Sequence, residues 1–449
     1  MEKVLTDSSE YSVQPGGALS GSVRVPGDKS MSHRSIIMGS LATGETRVSG
    51  FLEGEDSLRT LQAFRDMGVS IDYQPGGTIR IQGVGMNGLQ APQNALDLGN
   101  SGTGMRLLAG LMAGQTFASS IVGDESLHAR PMGRVIKPLQ QMGADISGNA
   151  DDKPPLSIAG TGTSQRLKAI SYNTPVASAQ IKSCLLFAGL YADGVTEVIE
   201  PGITRDHTER MLRGFGVEIE SNDNTVRLTG GQQLQACDIE VPADISSAAF
   251  FMVGASIAPG SDVLLQHVGV NPTRTGIIDI LRLMGADITL QQERLVGGEP
   301  VADIRVKYAG LKGIDIPHDL VPLAIDEFPA LFIAACVARG TTSVGGAEEL
   351  RVKETDRISA MVSGLQRMGA QIEETPDGAI IRGDQKLSGA TVESFGDHRI
   401  AMSFAIAALV TSSEMKILDC ANVNTSFPQF VQIAATAGLG IQTSGEVEA

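Results

Sequence analysis

The chain has 449 residues, with 51 acidic side chains against 35 basic ones and a formal net charge of -16. A chain of this length exceeds one ordinary hydrophobic core, so we expect two domains. The acidic balance disfavours nucleic acids and anionic membranes as partners, although a cleft that concentrates Lys and Arg can still bind a small anion.

The cysteines and the start of the chain exclude further classes. The four cysteines stand far apart and form no Cys-x-x-Cys pair, so the sequence signals neither a zinc site nor a disulfide framework. The first ten residues lack the apolar run of a signal peptide, and no stretch reaches the apolar length of a membrane span. We therefore expect a cytoplasmic protein without a metal site.

The first predicted element lies in residues 25–34 (VPGDKSMSHR), between a short strand pattern and an apolar run. Pro26 and Gly27 are typical of a strand end, and Asp28 to Ser30 can cap a helix. Lys29 and Arg34 then lie where backbone N–H groups already favour anions. The stretch predicts a phosphate or carboxylate site, although basic residues at a helix start are often only solvated surface.

An internal repeat extends this pattern through the chain. A glycine between a helical pattern and a short strand pattern recurs about 70 to 85 residues apart, at Gly68, Gly143, Gly216, Gly285, Gly369 and Gly438. Glycine at such a place is typical of a helix C-cap, because positive φ costs it little. The sequence pattern of each of the six copies predicts the same order of elements: strand, helix, strand, helix, and one or two strands.

The first helix of each copy opens on small or capping residues. In chain order these openings are residues 27–34 (GDKSMSHR), 99–106 (GNSGTGMR), 175–182 (PVASAQIK), 242–249 (PADISSAA), 325–330 (IDEFPA) and 395–400 (FGDHRI). Three copies around a pseudo-threefold axis would point their helix N-termini the same way, which favours anion binding. Residues 242–249 have no basic residue nearby in sequence, so we interpret them as an ordinary cap.

The copies divide three and three. We predict a first domain at residues 22–239 and a second domain at residues 1–21 and 240–449, with the active site in the cleft between the domains. We also expect a monomer, because each domain can bury its own core.

Six motifs taken together identify a family that the chain resembles. Residues 26–30 (PGDKS), 99–103 (GNSGT), 130–133 (RPMG), 178–180 (SAQ), 349–357 (ELRVKETDR) and 397–399 (DHR) closely resemble 5-enolpyruvylshikimate-3-phosphate synthase over essentially the whole chain. Residues 27–29, 178–182, 205–209 and 271–274 resemble the set that marks class II of that family. The resemblance implies an α/β fold of two domains, each built of three βαβαββ units around a pseudo-threefold axis.

The resemblance also implies a reaction. The enolpyruvyl group of phosphoenolpyruvate would pass to the 5-hydroxyl of shikimate 3-phosphate and release phosphate, by addition and elimination through a tetrahedral intermediate. No metal or organic cofactor is implied, and the sequence has neither the P-loop pattern nor the glycine order of a dinucleotide site. The expected partners are the two small substrates, with no nucleic acid and no membrane.

Three sets of site residues follow from matching the family motifs. The shikimate 3-phosphate ligands would be Lys29, Ser30, Arg34, Ser178, Ala179, Gln180, Arg205, Asp326 and Lys353. The phosphoenolpyruvate ligands would be Lys29, Asn100, Gly102, Arg130, Gln180, Arg357, His398 and Arg399. The catalytic residues would be Asp326 as base toward the 5-hydroxyl, and Glu354 with Lys29 as acid.

Simpler interpretations exist for the parts. Taken alone, residues 325–328 are typical of a helix cap followed by a surface carboxylate. Residues 348–357 alone indicate a charged helix face with favourable i,i+4 pairs. Only the joint occurrence of the motifs in order favours the catalytic interpretation.

Two alternative functions stay open. UDP-N-acetylglucosamine enolpyruvyl transferase shares the fold and chemistry, but it typically carries a reactive cysteine before the equivalent of Arg130, and residues 111–130 contain none. A non-catalytic homologue that binds an anion would leave Asp326 and Glu354 beside cationic motifs unexplained.

Two positions make the match incomplete or ambiguous. Thr425 stands where class I members carry a lysine before Phe-Pro. Gly102 leaves room for the inhibitor glyphosate, whereas the class II motifs imply low sensitivity to it.

Overall fold

The computed structural model describes residues 9–162 and 166–444. Within them the chain forms thirteen α-helices: α1 (Lys29–Leu41), α2 (Glu55–Asp66), α3 (Gly102–Ala113), α4 (Glu125–His128), α5 (Gly133–Gln141), α6 (Ala179–Gly189), α7 (His207–Gly214), α8 (Ile245–Ile257), α9 (Gly276–Leu283), α10 (Phe328–Val337), α11 (Arg357–Arg367), α12 (His398–Ala407) and α13 (Phe430–Ala437).

The same described ranges contain twenty-six strands. They are β1 (Glu10–Val13), β2 (Ser20–Val23), β3 (Ala42–Ser49), β4 (Ser70–Gln74), β5 (Thr78–Val84), β6 (Leu96–Asp97), β7 (Ser119–Val122), β8 (Ile146–Ser147), β9 (Leu156–Ile158), β10 (Leu167–Lys168), β11 (Ser171–Asn173), β12 (Ala192–Asp193), β13 (Val195–Ile199), β14 (Ile219–Asn222), β15 (Thr225–Thr229), β16 (Leu234–Gln235), β17 (Ile239–Glu240), β18 (Asp262–Gly269), β19 (Asp287–Val296), β20 (Glu299–Lys307), β21 (Thr341–Val344), β22 (Ile372–Thr375), β23 (Gly378–Arg382), β24 (Thr391–Glu393), β25 (Met415–Leu418) and β26 (Ile441–Ser444).

The chain divides into two compact units. The central unit comprises Gly27–Val241 and Leu295–Glu299, and the terminal unit comprises the chain up to Pro26, Pro242–Arg294, and the chain from Pro300 onward. Each unit has its own hydrophobic core.

The central unit contains three larger sheets. Their strand orders are β16-β3-β5-β4 with β17 also paired to β3, β6-β7-β9-β8, and β11-β13-β15-β14. In each of them a parallel pair is extended by antiparallel strands, as at β6-β7 and β7-β9. This arrangement matches the predicted order of strand, helix, strand, helix and one or two strands.

The terminal unit repeats the arrangement. Its sheets have the orders β19-β20-β18-β2, β21-β23-β22 and β24-β25-β1-β26. Strands β1 and β2 from the start of the chain complete two of these sheets. In the copy that contains α10, the first strand is reduced to isolated parallel bridges at Lys312 and Asp315.

The helix ends confirm the repeat. The six repeat glycines have φ values between 82° and 114°, a conformation that suits glycine, and they follow α2, α5, α7, α9, α11 and α13. Gly68 N–H donates to the carbonyl of Arg65 at 3.0 Å, which satisfies an otherwise unpartnered carbonyl at the end of α2.

The first helix of every copy begins within its predicted opening. Five of these helices have a side chain that accepts a hydrogen bond from a backbone N–H at the start, namely Asp28, Ser101, Ser178, Asp244 and Asp397. Glu327, before α10, makes no such bond. These helices are also the most buried, and every residue of α8 lies in the core, so burial rather than an amphipathic pattern stabilises them.

In the described part of the chain, no α-helix combines the length and the apolar character that crossing a lipid bilayer requires. The apolar segment 249–252 (AFFM) of α8 is fully buried.

Candidate active site

The start of α1 presents Lys29 beside a carboxylate. Lys29 Nζ lies 3.1 Å from Asp56 Oδ2, and 20% of its side chain is exposed. Asp28 caps the helix by accepting from the backbone N–H of Met31 at 2.8 Å. The backbone of Lys29 is therefore fixed by the helix cap and its ammonium group by Asp56, while its side chain stays partly exposed to solvent.

Arg34, one turn further, is buried among polar partners. Its Nε donates to Thr208 Oγ1 at 2.7 Å, its Nη1 to the carbonyl of Ser30 at 2.9 Å, and its Nη2 to Ser183 Oγ at 2.7 Å. Burial lowers the pKa of Arg34 to about 10, so the group remains a cation at neutral pH. The guanidinium thus joins α1, α6 and α7.

His33 is the buried neighbour of these cations. Its Nδ1 lies 2.8 Å from Thr60 Oγ1 and its Nε2 lies 3.3 Å from Ser101 Oγ, the cap of α3. Burial, and then the positive charges of Lys29 and Arg34, lower the pKa of His33 to about 3. The imidazole is therefore neutral at physiological pH. Its hydrogen bonds to Thr60 and Ser101 connect α1 to α2 and to the start of α3.

The segment before α3 carries Asn100. Asn100 Nδ2 donates to Asp124 Oδ2 at 2.8 Å, and its Oδ1 accepts from Arg130 Nη2 at 3.2 Å. Asn100 and Arg130, which the motifs both assigned to phosphoenolpyruvate, are thus in direct contact.

Gly102 lies against two guanidinium groups. A Cβ added at Gly102 would be 2.8 Å from Arg130 Nη1 and 3.0 Å from Arg106 Nη1. The sequence motifs gave a steric reason for glycine here, and the structure identifies the groups that a side chain would displace. Both are the far ends of flexible side chains, so a methyl group would shift cations rather than backbone.

Arg106 is a residue that the motif match did not include. Its Nη1 donates to Gln180 Oε1 at 2.7 Å, and Gln180 Nε2 donates to Thr103 Oγ1 at 2.9 Å. A signal was present, because Arg106 stands four residues after Gly102 and therefore on the same face of α3.

The start of α6 brings Ser178, Ala179 and Gln180 to this group. Ser178 Oγ accepts from the backbone N–H of Ile181 at 3.5 Å, a long capping bond. Arg205 lies half-buried in the segment between β13 and α7. The central unit thus holds Lys29, Ser30, Arg34, Asn100, Gly102, Arg130, Ser178, Ala179, Gln180 and Arg205 of the predicted site.

The terminal unit centres its site on Arg357, the first residue of α11. Its Nε donates to Asp397 Oδ2 at 2.7 Å, its Nη1 to Asp326 Oδ1 at 3.3 Å, and its Nη2 to Glu354 Oε2 at 2.6 Å. The side chain is 1% exposed. Burial alone would lower the pKa of Arg357, but the carboxylates of Asp397, Glu354 and Asp326 outweigh it and raise that pKa.

Asp326 and Glu354, the two predicted catalytic carboxylates, therefore lie on one guanidinium. Lys353 Nζ is 3.3 Å from the same Asp326 Oδ1 that faces Arg357. Asp326 and Glu354 side chains are 13% and 20% exposed, so both remain within reach of a ligand.

The start of α12 completes this group. Asp397 Oδ1 accepts from the backbone N–H of Arg399 at 2.8 Å, and Arg399 Nη1 donates to the carbonyl of Asp326 at 3.0 Å. His398 is buried beside them at the first position of the helix. The terminal unit thus brings together Asp326, Lys353, Glu354, Arg357, His398 and Arg399.

Comparisons with known proteins agree on one family. The family model described as EPSP synthase (3-phosphoshikimate 1-carboxyvinyltransferase) matches residues 13–433. The chain belongs to the EPSP synthase family. The 3-phosphoshikimate 1-carboxyvinyltransferases of Alkalilimnicola ehrlichii and Methylococcus capsulatus are 59% and 60% identical to it, over 98% and 97% of the chain and 98% of each relative.

A solved EPSP synthase from Acinetobacter baumannii agrees in fold. It superposes with a TM-score of 0.88 at 55% identity, and the match covers 97% of this chain and 100% of that one. The predicted enolpyruvyl transferase fold is thereby confirmed.

One prediction made from sequence needs correction in the light of this fold. Residues 348–357 do not form one helix with i,i+4 pairs, because a 3-10 helix at Glu348–Val352 ends before α11 begins at Arg357. Arg351 instead pairs with Asp356 at 2.7 Å and with Glu374 at 2.9 Å.

The opening of α8 needs a second correction. It was interpreted as an ordinary cap with no basic residue nearby, and Asp244 does cap α8. Arg274 is nevertheless adjacent, with Nη2 3.0 Å from Asp244 Oδ1 and 2.7 Å from Ser246 Oγ. Ser246 Oγ donates in turn to Glu327 Oε1, and Glu327 Oε1 lies 3.7 Å from Arg399 Nη1.

Thr425 is the position at which the family resemblance implies a lysine in class I members. The residue ends a 3-10 helix at Ala421–Thr425, is buried, and donates its hydroxyl to the carbonyl of Asn422 at 2.7 Å. The position therefore provides a buried hydroxyl in place of a cation.

Proposed function

We propose that this chain transfers the enolpyruvyl group of phosphoenolpyruvate to the 5-hydroxyl of shikimate 3-phosphate and releases phosphate, a step in the formation of chorismate and the aromatic amino acids. Membership of the EPSP synthase family supports the reaction. The single structural observation that carries it is the placement of Asp326 and Glu354 on the one buried guanidinium of Arg357, with Lys353 alongside. This arrangement pairs acid–base groups with fixed positive charge.

The shikimate 3-phosphate ligands would be the residues that the family motifs assign to this substrate. Its phosphate and hydroxyl groups would contact Lys29, Ser30 and Arg34 on α1, Ser178, Ala179 and Gln180 at the start of α6, Arg205, Asp326 and Lys353. Phosphate oxygens suit Lys and Arg donors and the free N–H groups at helix starts.

Phosphoenolpyruvate would contact a second set. Its carboxylate and phosphate would be held by the residues that the motifs assign to it, namely Lys29, Asn100, Gly102, Arg130, Gln180, Arg357, His398 and Arg399. Fixing two polyanions against preplaced cations removes much of the orientational cost of a bimolecular reaction.

The chemistry then needs one base and one acid. The 5-hydroxyl oxygen of shikimate 3-phosphate attacks C2 of phosphoenolpyruvate, and Asp326 accepts the proton of that hydroxyl. At the same time Glu354, assisted by Lys29, donates a proton to C3. A tetrahedral intermediate results, with a methyl group at C3. Glu354 takes a proton back from that methyl group as the C2–O bond to phosphate breaks, which restores the double bond.

Arg357 links binding to this proton transfer. A substrate anion arriving at Arg357 competes with Glu354 for the same Nη2 donor, which lies 2.6 Å from Glu354 Oε2. A carboxylate released from a guanidinium is more easily protonated, because a nearby positive charge favours the ionised form. Substrate binding would thus prepare Glu354 to act as the acid.

Phosphate release from phosphoenolpyruvate and shikimate 3-phosphate tests the proposal. We expect release by the wild type and a loss of roughly 10²- to 10⁴-fold for Asp326→Ala. Asp262→Asn is the matched control, because Asp262 pairs with Arg305 on the exposed surface of the same unit. Absence of release by the folded wild type would refute the proposal, and release with UDP-N-acetylglucosamine as acceptor instead would assign the chain to the sister reaction.

A cytoplasmic monomer remains a prediction. The expectation of a monomer is supported by the separate hydrophobic core of each unit. The core of the central unit is formed by residues between Met31 and Val241, and that of the terminal unit by residues outside this range. Light scattering at assay concentration measures the mass, for which we expect the single-chain value near 47.0 kDa, and cell fractionation tests the location.

A further inference from the structure

A buried ion cluster lies behind the start of α6 and takes no part in the proposed chemistry. Lys182 Nζ is 2.8 Å from Glu200 Oε2 and 2.8 Å from Glu209 Oε1, and each of the three side chains is at most 3% exposed. Removing three charges from water is costly, and apolar residues of similar volume often give equal or better stability. The cluster therefore calls for an explanation beyond stability.

A second network runs beside the first. Arg34 Nη2 donates to Ser183 Oγ and Arg34 Nε to Thr208 Oγ1, and these two hydroxyls are 2.7 Å apart. Ser183 follows Lys182 on α6, and Thr208 precedes Glu209 on α7, so adjacent residues of both helices enter the two networks. Lys182 and Arg34 together balance the charges of Glu200 and Glu209.

The cluster also reaches the segment that carries Arg205. Glu200 stands directly after β13, and its backbone N–H donates to the carbonyl of Asn224 at 2.8 Å. Its Oε1 accepts from Thr204 Oγ1 at 2.6 Å, while its Oε2 faces Lys182. Glu200, before the segment, and Glu209, after it, thus both pair with the ammonium group of Lys182. The hydrogen bond from Thr204 to Glu200 links the segment itself to that cluster.

We infer that Lys182, Glu200, Thr204 and Glu209 form a positioning cluster that sets the place of Arg205 and with it the affinity for shikimate 3-phosphate. This inference rests on the proposed function, in which Arg205 binds that substrate. Burial alone would lower the pKa of Lys182, but Glu209 and Glu200 raise it overall, so the central cation persists at assay pH. A hydrogen-bonded network in a buried site rigidifies the groups it joins.

Thr204→Val is the sharpest variant, because it removes one hydroxyl and leaves every charge of the cluster paired. We expect the Kd for shikimate 3-phosphate, measured by titration calorimetry, to rise roughly tenfold, as for the loss of a hydrogen bond to a charged group. The KM for phosphoenolpyruvate should change by less than about twofold, since no side chain of the cluster is among the proposed ligands of that substrate. Thr161→Val is the control, because the Thr161 hydroxyl donates to the carbonyl of Gln115 in the same unit and carries no proposed ligand.

A double-mutant cycle separates positioning from general loosening. In an Arg205→Ala background, Thr204→Val should alter the Kd by less than about twofold, because the group it positions is gone. Lys182→Arg should retain most of the affinity and Lys182→Met should lose it, provided that both unfold cooperatively near the wild-type temperature.

Three results decide the matter. Equal Kd values for the wild type and Thr204→Val, or additive effects of Thr204→Val and Arg205→Ala, would overturn the positioning role while leaving the proposed function intact. A wild type that binds no shikimate 3-phosphate would instead overturn the proposed function, and the inference with it.

Discussion

Asp397 holds Arg357 at two points, through Oδ2 to Nε at 2.7 Å and through Oδ1 to Nη2 at 3.4 Å. The same Oδ1 accepts from the backbone N–H of Arg399 at 2.8 Å. One fully buried carboxylate therefore fixes the side chain of one proposed phosphoenolpyruvate ligand and the backbone of another.

Removing that carboxylate should cost stability. We expect Asp397→Ala to lower the free energy of unfolding by about 3 to 5 kcal/mol, because a buried cation loses a partner and α12 loses its cap. Asp397→Asn keeps an acceptor for the backbone and should lose less. Differential scanning calorimetry measures the change, with the exposed Asp262→Asn as control, and an Asp397→Ala loss no larger than the control's would contradict the expectation.

Gly102→Ala should weaken phosphoenolpyruvate binding while preserving the fold. Its Cβ would displace Arg130 Nη1 and Arg106 Nη1, which lie 2.8 and 3.0 Å away. We expect the KM for phosphoenolpyruvate to rise roughly tenfold, as for the loss of one charged hydrogen bond, and the Kd for shikimate 3-phosphate to rise less, through the bond from Arg106 to Gln180.

Inhibition curves on the same two proteins test the glyphosate expectation. The class II motifs predict low sensitivity of the wild type, and competitive inhibition against phosphoenolpyruvate at micromolar concentration would contradict it. A further loss of inhibition in Gly102→Ala is expected, since the added methyl group narrows the same space.

The neutral state of His33 predicts a pH-dependent stability. The unfolded chain binds a proton at this residue below about pH 6.5, whereas the folded chain stays neutral until its pKa of about 3. Stability from this group is therefore full above about pH 6.5 and is lost as the pH falls toward 3, by about 2 kcal/mol between pH 7 and pH 5.

Denaturant unfolding at both pH values measures this loss. His33→Gln should flatten the dependence, and the exposed His318→Gln, the matched control, should retain the wild-type slope. An unchanged slope in His33→Gln would show that other groups carry the effect.

Glu327 should matter through Arg399. Glu327→Gln removes the buried charge 3.7 Å from Arg399 Nη1, so we expect the KM for phosphoenolpyruvate to rise roughly tenfold with a smaller change for shikimate 3-phosphate. Ser246→Ala, which cuts the link from Arg274 to Glu327, should have a smaller effect in the same direction. Ser256→Ala on the same helix is the control, because its hydroxyl donates to the carbonyl of Met252 at 2.7 Å; an equal effect there would reject the role of Glu327.

A side chain at a repeat glycine should lower the free energy of unfolding. Gly143 has φ +89° with open space around it, so Gly143→Ala adds no clash and isolates the backbone cost, about 1 to 2 kcal/mol of unfolding free energy. Gly214, the last residue of α7, also has open space but an ordinary φ, and Gly214→Ala should be neutral or slightly stabilising. Equal effects of the two substitutions on urea unfolding would contradict the C-cap assignment.

Much of the fold was readable from local signals. Gly68 and its five counterparts marked helix ends because the requirement for positive φ acts within a single residue, and Asp28 or Ser178 marked helix starts because capping acts within three residues. The family motifs then supplied residues such as Asp326 and Arg357, which the structure places 3.3 Å apart.

The contacts that sequence could not predict join residues distant in the chain. Arg274 reaches Asp244 and Ser246, Arg106 reaches Gln180, and Lys182 meets Glu200 and Glu209. These pairings depend on which copies of the repeat lie side by side and on the direction of each buried side chain. No local propensity encodes either, which is why Arg274 beside the cap of α8 and the ion cluster around Lys182 were not predicted.

The four cysteines can report the unfolding of each of the two units. Burial raises the pKa of Cys184 in the central unit, and of Cys336 and Cys420 in the terminal unit, to about 12, so these thiols are protonated and shielded from alkylating reagents in the native state. Cys237 is only partly buried and should react first. Pulsed alkylation followed by peptide mass analysis would therefore measure separately how fast the buried thiols of each unit become exposed, without any introduced label.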